Sequence, residues 1–241
     1  MERENGLIPE KYKILSGSAL KCIALTTMLI DHVALVLLKN SNIVLFQTGK
    51  DPFTLYTLMR KIGRLAFPIY CFLLVEGFLH THDRKKYGLN LFLFALISEL
   101  PWNLEHTGTW HYANQNVFFT LFLGYVGLCC LEAFRERPRE QLGSLLLLFL
   151  TAVLLKADYG TVGFGLILLL YLLRDRKILQ AILGSCFLSS TWVGGLAFIP
   201  INLYSGERGF IQGKVLKYTF YAAYPLHILL LYWIRKNTIG Y

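Results

Sequence analysis

Long runs of apolar residues alternate with short polar clusters along this chain, and inside the runs there is no two-residue alternation. A bilayer hydrocarbon core of about 30 Å is crossed by roughly 20 helical residues rising about 1.5 Å each. Eight segments approach that description: Cys22–Leu38, Leu65–His80, Leu89–Trp102, Val117–Phe134, Leu142–Leu155, Gly160–Leu173, Ile178–Leu203 and Tyr218–Ile234. Several are short for a full crossing, so flanking residues must extend them. The seventh is uncharged and broken by Gly194-Gly195 and Pro200. It fits one kinked helix or two short ones, so the count runs from seven to nine. Lipid tolerates only helices or closed barrels, and continuous apolar runs exclude the barrel. The expected fold is all-α, a polytopic integral membrane bundle of about eight transmembrane helices forming a single domain over residues 1–241.

Composition narrows the function classes. Hydrophobic residues make up 55% of the chain, charged residues 16%, and mean hydropathy is +0.48. That little charge cannot clothe a water-exposed surface, which argues against a soluble enzyme, and disorder, coiled coil and collagen fall by the same figures. The net charge of +9 sits between apolar runs. It therefore reads as a topology signal and as contact with lipid headgroups, not as a nucleic-acid surface. Arg84-Lys85-Lys86, the trio Arg135, Arg137 and Arg139, and the trio Arg174, Arg176 and Lys177 follow the second, fourth and sixth spans. Asn103–Asn116 carries no Lys or Arg and Lys156–Tyr159 only one. The basic loops are then cytoplasmic, as are both termini if the spans number eight. The segment Lys39–Arg64 strains this scheme, since it falls outside yet holds Lys39, Lys50, Arg60, Lys61 and Arg64. The connection around Arg208, Lys214 and Lys217 is ambiguous. The first twenty residues are polar and no signal peptide is evident. Cys22, Cys71, Cys129, Cys130 and Cys186 lie inside apolar runs and read as small buried hydrophobes.

Ionisable groups at membrane depth cost several kcal/mol unless paired or hydrated, and so mark candidate chemistry. The first span carries Asp31-His32, and the second Glu76 with His80 four residues on, on one helix face. Glu99 precedes Pro101, where it fits a satisfied helix end. Glu132 reads as reaching water at a cytoplasmic end, and His106 and His111 as solvated loop residues. Asp158 sits at the mouth of the sixth span and His227 in the last. Adjacent residues point about 100° apart on a helix, so Asp31 and His32 do not simply neutralise each other. Glu76, His80 and His82 have ligand chemistry but poor spacing, and no metal site is expected. No nucleophile elbow such as G-x-S-x-G is present. A neutral His at depth suits general-base work toward an amine or hydroxyl.

The residues together resemble a family. Leu20-Lys21-Cys22-Ile23-Ala24 with Met28-Leu29-Ile30-Asp31-His32 looks like the first-helix motif of the TraX family. Gly63–Tyr70, Leu74–Phe78, Arg84–Tyr87, Ala95–Pro101, Asn116–Leu121, Ala157–Gly160 and Tyr224–His227 resemble its further motifs, in order and over nearly the whole chain. The family takes its name from a conjugation protein that acetylates the amino terminus of pilin. It is more distantly similar to membrane acyltransferases that modify cell-surface sugars. There a first-helix His serves catalysis, and basic residues after a second-helix Gly-Phe contact the acyl-CoA. The matching positions are His32, Gly77-Phe78 and Arg84-Lys85-Lys86; where a further Arg is expected this chain has Asn90.

The resemblance implies transfer of an acetyl group from cytosolic acetyl-CoA, as co-substrate, to an amine or hydroxyl on a pilin-like protein or cell-surface glycan. The setting is a multi-pass protein of the bacterial cytoplasmic membrane. His32 is the expected general base, with Asp31 serving local electrostatics or a neighbouring helix. Arg84, Lys85 and Lys86 are the expected phosphate contacts. Arg60 and Arg64 line an outer mouth, toward an acidic acceptor or Asp158. Glu76, Asn116, Asp158 and His227 complete the substrate-site candidates. Competing classes are a proton-coupled transporter relaying through Asp31, His32, Glu76, Glu99 and His227, and a non-catalytic assembly factor for a surface appendage. No internal repeat of the transporter kind is visible.

Overall fold

The structure is a computed structural model and describes residues 9–41, 43–48 and 51–238. Residues 1–8 of the polar N-terminal stretch and Lys50 of the first connection lie outside the described residues. A 3₁₀ turn at Glu10–Tyr12 leads to α1, Gly17–Val33, which Ser16 caps by accepting the Ala19 N–H. The helix loosens into a π-helical turn over Ala34–Leu38, just after Asp31-His32. Such π turns are rare and cluster at functional sites. An antiparallel hairpin follows, β1 Val44–Thr48 and β2 Asp51–Thr54, with Phe46 stacked on Phe53. This small sheet departs from the all-α expectation.

The remaining elements are helices: α2 Leu55–Gly63, α3 Ala66–His80, α4 Arg84–Thr107, α5 Val117–Ala133, α6 Pro138–Leu155, α7 Gly160–Leu172, α8 Lys177–Phe187, a 3₁₀ stretch Ser189–Ala197, α9 Phe198–Asn202 and α10 Gly213–Thr238. Gly17–Leu38, Leu55–His80 and Pro138–Leu155 are long and apolar enough to cross a membrane, and several shorter apolar helices pack among them. The chain is a helical membrane protein. α3 forms its centre, with Ile69, Phe72, Val75 and Phe78 buried against α1, α5 and α7.

Two expectations change and one open alternative is decided. The supposed loop Lys39–Arg64 contains α2, which runs into α3 and carries Arg60 and Arg64 inward. Arg60 is held by Asp31 and Arg64 by Tyr159, so these two cations have partners within the protein and do not act as free loop charges. α4 passes through Pro101 to Thr107, and His106 sits in its last turn stacked between Trp102 and Tyr112. It is not a solvated loop residue. Finally, Ile178–Leu203 is two short helices joined by 3₁₀ backbone. Phe198 packs on Gly184, and the Leu15 N–H bonds Leu203 O at the start of α1. The excursion thus returns to the end it left.

That end, termed here the near end, gathers the starts of α1, α4 and α10. Ser18 Oγ donates to Arg208 O and accepts the Ile211 N–H. Lys86 and Tyr87 share a cleft with Lys214 and Tyr218. At the opposite, far end Arg235 of α10 meets Glu105 of α4. Since α1 and α10 start together and run the same way, the described N- and C-terminal segments lie at opposite ends, whereas a count of eight spans would have put them on one side.

Candidate active site

His32 and His227 meet between α1 and α10. His32 Nδ1 lies 2.7 Å from His227 Nε2, and His227 Nδ1 lies 2.6 Å from Ala223 O. A carbonyl only accepts, so His227 Nδ1 carries the hydrogen. In a neutral ring Nε2 is then a lone pair, and it accepts from His32 Nδ1–H. The chain ends at His32 Nε2, which is left as a lone pair. Tyr224, one turn before His227, packs edge-on to both imidazoles. The proline of Tyr224-Pro225-Leu226-His227 lies within α10. A proline has no N–H to close the ladder with the carbonyl four residues back. Here that carbonyl is Tyr221 O.

Asp31, next to His32, turns away to Arg60 of α2, whose Nη1 donates to Oδ2 at 2.5 Å. The side chains are 15% and 20% exposed, so the pair is shielded without being sealed from solvent. Gly63 makes this possible. A Cβ there would stand 2.2 Å from Asp31 Cβ and Oδ1, so only glycine admits the carboxylate beside α2. One turn beyond Arg60, Arg64 Nη1 donates to Tyr159 Oη at 3.4 Å, and Tyr159 stacks on Phe67 at 3.7 Å. Asp158 beside it is half-buried, and the loss of solvent pushes its carboxyl up to about 6 against the opposing pull of the Tyr159 N–H and Arg64. Asp31, His32, Arg60, Arg64, Asp158 and His227 thus belong to one neighbourhood.

The other candidates lie elsewhere. Asn116 is wholly buried and caps α5 through the Phe118 N–H. Its amide donates to Ala95 O at 2.8 Å and to Glu99 Oε1 at 2.5 Å, and Glu99 also accepts the Asn116 N–H. Glu99 therefore ties α5 to α4 and does not serve a helix end at Pro101. Glu76 stands toward the near end, with His80 Nδ1 3.8 Å from its carboxylate. Glu132 accepts from Tyr171 Oη and is not free in water. Of the basic triplet, Arg84 lies with its guanidinium 4.3 Å over the Phe78 ring, Lys85 is exposed, and Lys86 lines the near-end cleft. Gly77 fits against Tyr87 Oη, where a Cβ would come within 2.6 Å. The Gly-Phe pair thereby seats the α3–α4 turn and Arg84. Cys71 is buried, Cys186 exposed.

Sequence reading missed two groups. Glu105 is 6% exposed, with His106 Nδ1 at 2.6 Å and Arg235 Nη1 at 3.6 Å. Arg235 lies 130 residues from Glu105, so no local spacing marks the pair. Lys214 and Lys217 face Lys86 across the cleft. Their i, i+3 spacing at a helix start was the available signal, hidden by reading them as topology residues.

The family model described as TraX protein matches residues 16–235. A curated relative, the probable fimbrial assembly protein FimC, serogroup H1, from Dichelobacter nodosus, is 30% identical over 247 residues, covering 90% of this chain and 94% of that protein. No solved structure matches.

Proposed function

The chain belongs to the TraX family, and from that premise we propose that it is a membrane-embedded acetyltransferase. It moves an acetyl group from cytosolic acetyl-CoA to an amine or hydroxyl of a surface-appendage subunit, a pilin-like protein. The observation that carries this reading is the chain Ala223 O, His227, His32, which leaves His32 Nε2 as a basic lone pair in a partly buried site. The relative's printed name, a fimbrial assembly protein, supports an appendage subunit over a glycan as acceptor.

His32 Nε2 takes the proton from the acceptor N–H or O–H as that atom attacks the thioester carbonyl carbon. The C–S bond breaks, CoA leaves as thiolate, and the imidazolium returns the proton to the sulfur. His227 is a positioning residue. It holds the tautomer and disperses charge on the imidazolium, as outer partners do for ligating and catalytic histidines. Arg60 pairs with Asp31 and holds it aimed away from His32, so the carboxyl group acts on the imidazolium through space without binding it. Arg64, with Tyr159 and Asp158, forms the rim that meets the acceptor.

In the membrane the near end, with Arg84-Lys85-Lys86 and Arg174, Arg176 and Lys177, faces the cytoplasm, and the far end faces outward. Seven crossings follow: α1, α2 with α3, α4, α5, α6, α7 and α10, with α8 to α9 entering and leaving on the cytoplasmic side. Impermeant thiol labelling of single cysteines at 85 and 110 checks this orientation. Residue 110 labels in intact cells and residue 85 only after permeabilisation.

The decisive test is acetyl transfer by purified protein in nanodiscs, with appendage subunit and isotopically labelled acetyl-CoA, read by mass spectrometry. Wild type transfers and His32→Gln does not. A folded His32→Gln protein with near-normal turnover overturns the mechanism.

A further inference from the structure

The near-end cleft has chemistry that the histidine site does not use. It encloses about 200 Å³ between the start of α4 and the start of α10. Lys86, Lys214 and Lys217 converge on it, with Tyr87 and Tyr218 as walls. Among the described residues no ion pair joins any of these lysines to a carboxylate. Asp83, the acid in the lining, spends Oδ1 on capping α4, accepting the Lys86 N–H at 2.8 Å. Lys217 Nζ stands 5.8 and 5.9 Å from the Tyr218 and Tyr221 ring centres. Lys21 of α1 adds to the same positive field, being in electrostatic reach of Lys217 and Arg208. Asn90, one turn into α4 from Lys86, is 6% exposed; its Oδ1 meets Tyr218 Oη at 3.5 Å and its Nδ2 has no hydrogen-bond partner. Like charges gathered without a counter-charge repel, and a buried unpaired donor costs free energy. Both costs are relieved by a ligand carrying several negative charges and acceptor oxygens.

The fold also sets a length. Lys217 and His227 share α10 and are ten residues apart, which is about 15 Å along the axis, and Lys214 is about 20 Å away. A compact phosphate held at the lysines never reaches His32. A ligand with its phosphates at one end and its reactive group at the end of a long thin arm reaches it. The tyrosines Tyr218, Tyr221 and Tyr224 mark the interval between the two places.

We propose that this cleft is the binding site for the phosphate-bearing nucleotide end of acyl-CoA. Lys86, Lys214 and Lys217 hold the phosphates, Tyr87 and Tyr218 flank the purine, and α10 is the ruler that delivers the thioester to His32. The proposal rests on the acetyl-transfer reading and assigns its donor site largely to α10. Within the basic triplet after α3, only Lys86 belongs to that site.

The test is binding of CoA, and of adenosine 3′,5′-bisphosphate as competitor, to the full chain in nanodiscs. The variants are Lys214→Gln with Lys217→Gln, the charge-matched control Arg135→Gln with Arg139→Gln, exposed residues at the α5–α6 connection that do not line the cleft, and His32→Gln. The cleft pair should weaken CoA roughly tenfold or more, since charge-assisted hydrogen bonds are lost. The control and His32→Gln should bind as wild type, and the bisphosphate should displace CoA. Equal CoA affinity of wild type and the cleft pair overturns the cleft while leaving acetyl transfer standing. Failure of every form to bind CoA overturns both. Repeating the series in phosphatidylcholine and in phosphatidylglycerol nanodiscs separates the phosphate sources. If the cleft pair loses retention of the anionic lipid but no CoA affinity, the cleft holds lipid headgroups and the proposal fails.

Discussion

Two polar regions sit about 15 Å apart along α10, one at its start and one near its middle, and are built on opposite principles. Around His32 and Asp31 the groups are joined: imidazole to imidazole to carbonyl, carboxylate to guanidinium. Around Lys86, Lys214 and Lys217 cations face one another and no described carboxylate neutralises them. A paired network fixes the direction in which one lone pair points, which a base requires. An unpaired cluster holds a standing field that a multiply charged ligand cancels, which a donor site requires. The contrast implies that damage to the first region lowers the rate of chemistry, and damage to the second lowers donor affinity.

The largest expected effect breaks the first region directly. His32→Gln should reduce turnover about 10²–10⁴-fold, the usual worth of a general base, with donor binding retained. Substituting the positioning residue comes next. His227→Leu removes the acceptor of His32 Nδ1–H and should cost about 10–100-fold in kcat. His227→Gln keeps an acceptor oxygen and should recover part of that loss, and the pH–rate profile of the Leu variant should move as the His32 tautomer is freed. A merely structural role for His227 predicts no change in that profile.

Third, Asp31→Asn or Arg60→Gln should each lower stability by on the order of 2–3 kcal/mol, below the 3–5 of a fully buried pair because both groups keep some solvent contact. The double variant should lose less than the sum, as a thermal-melt cycle would record. Additive losses would show that the pair is not coupled. The smallest effect is at the rim. Burial holds Asp158 at about 6, above its value of about 4 in an unfolded chain. Between those values the folded protein keeps a proton that the unfolded chain has lost. This group's effect therefore lowers stability as pH rises through about 4 to 6, and levels off above. Asp158→Asn should remove that slope from Tm measured between pH 4.5 and 7.

Legibility in the sequence followed the range of the signal. Helix cores were readable because apolar runs are local: Val117–Phe134 and Gly160–Leu173 nearly coincide with α5 and α7. Asp31-His32 stood out because adjacent polar residues at depth are costly wherever they occur. Helix α2 was not readable, since its apolar and basic residues average to a loop-like composition, and only the distant Asp31 explains Arg60. The turning back of α8 to α9 was equally hidden. Gly184 under Phe198 and the Leu15 to Leu203 bond are tertiary facts with no local trace beyond Gly194-Gly195 and Pro200. Asn116 falls in a motif that resembles the family's, yet its amide is spent on Glu99 and Ala95.

α6 shows what a purely solvating role leaves to chance. Only 6% of its apolar window is buried, and Leu154 is 81% exposed, while α2 with α3 buries 56%. No partner side chain dictates shape along most of α6, only the requirement of oil solubility. Exchange among Leu, Ile, Val and Phe there should be nearly silent, whereas a single charge at Leu147 or Leu150 should be rejected. Over evolutionary time this helix is free to drift in spelling while its hydropathy stays fixed, and α3, gripped on all sides, is not.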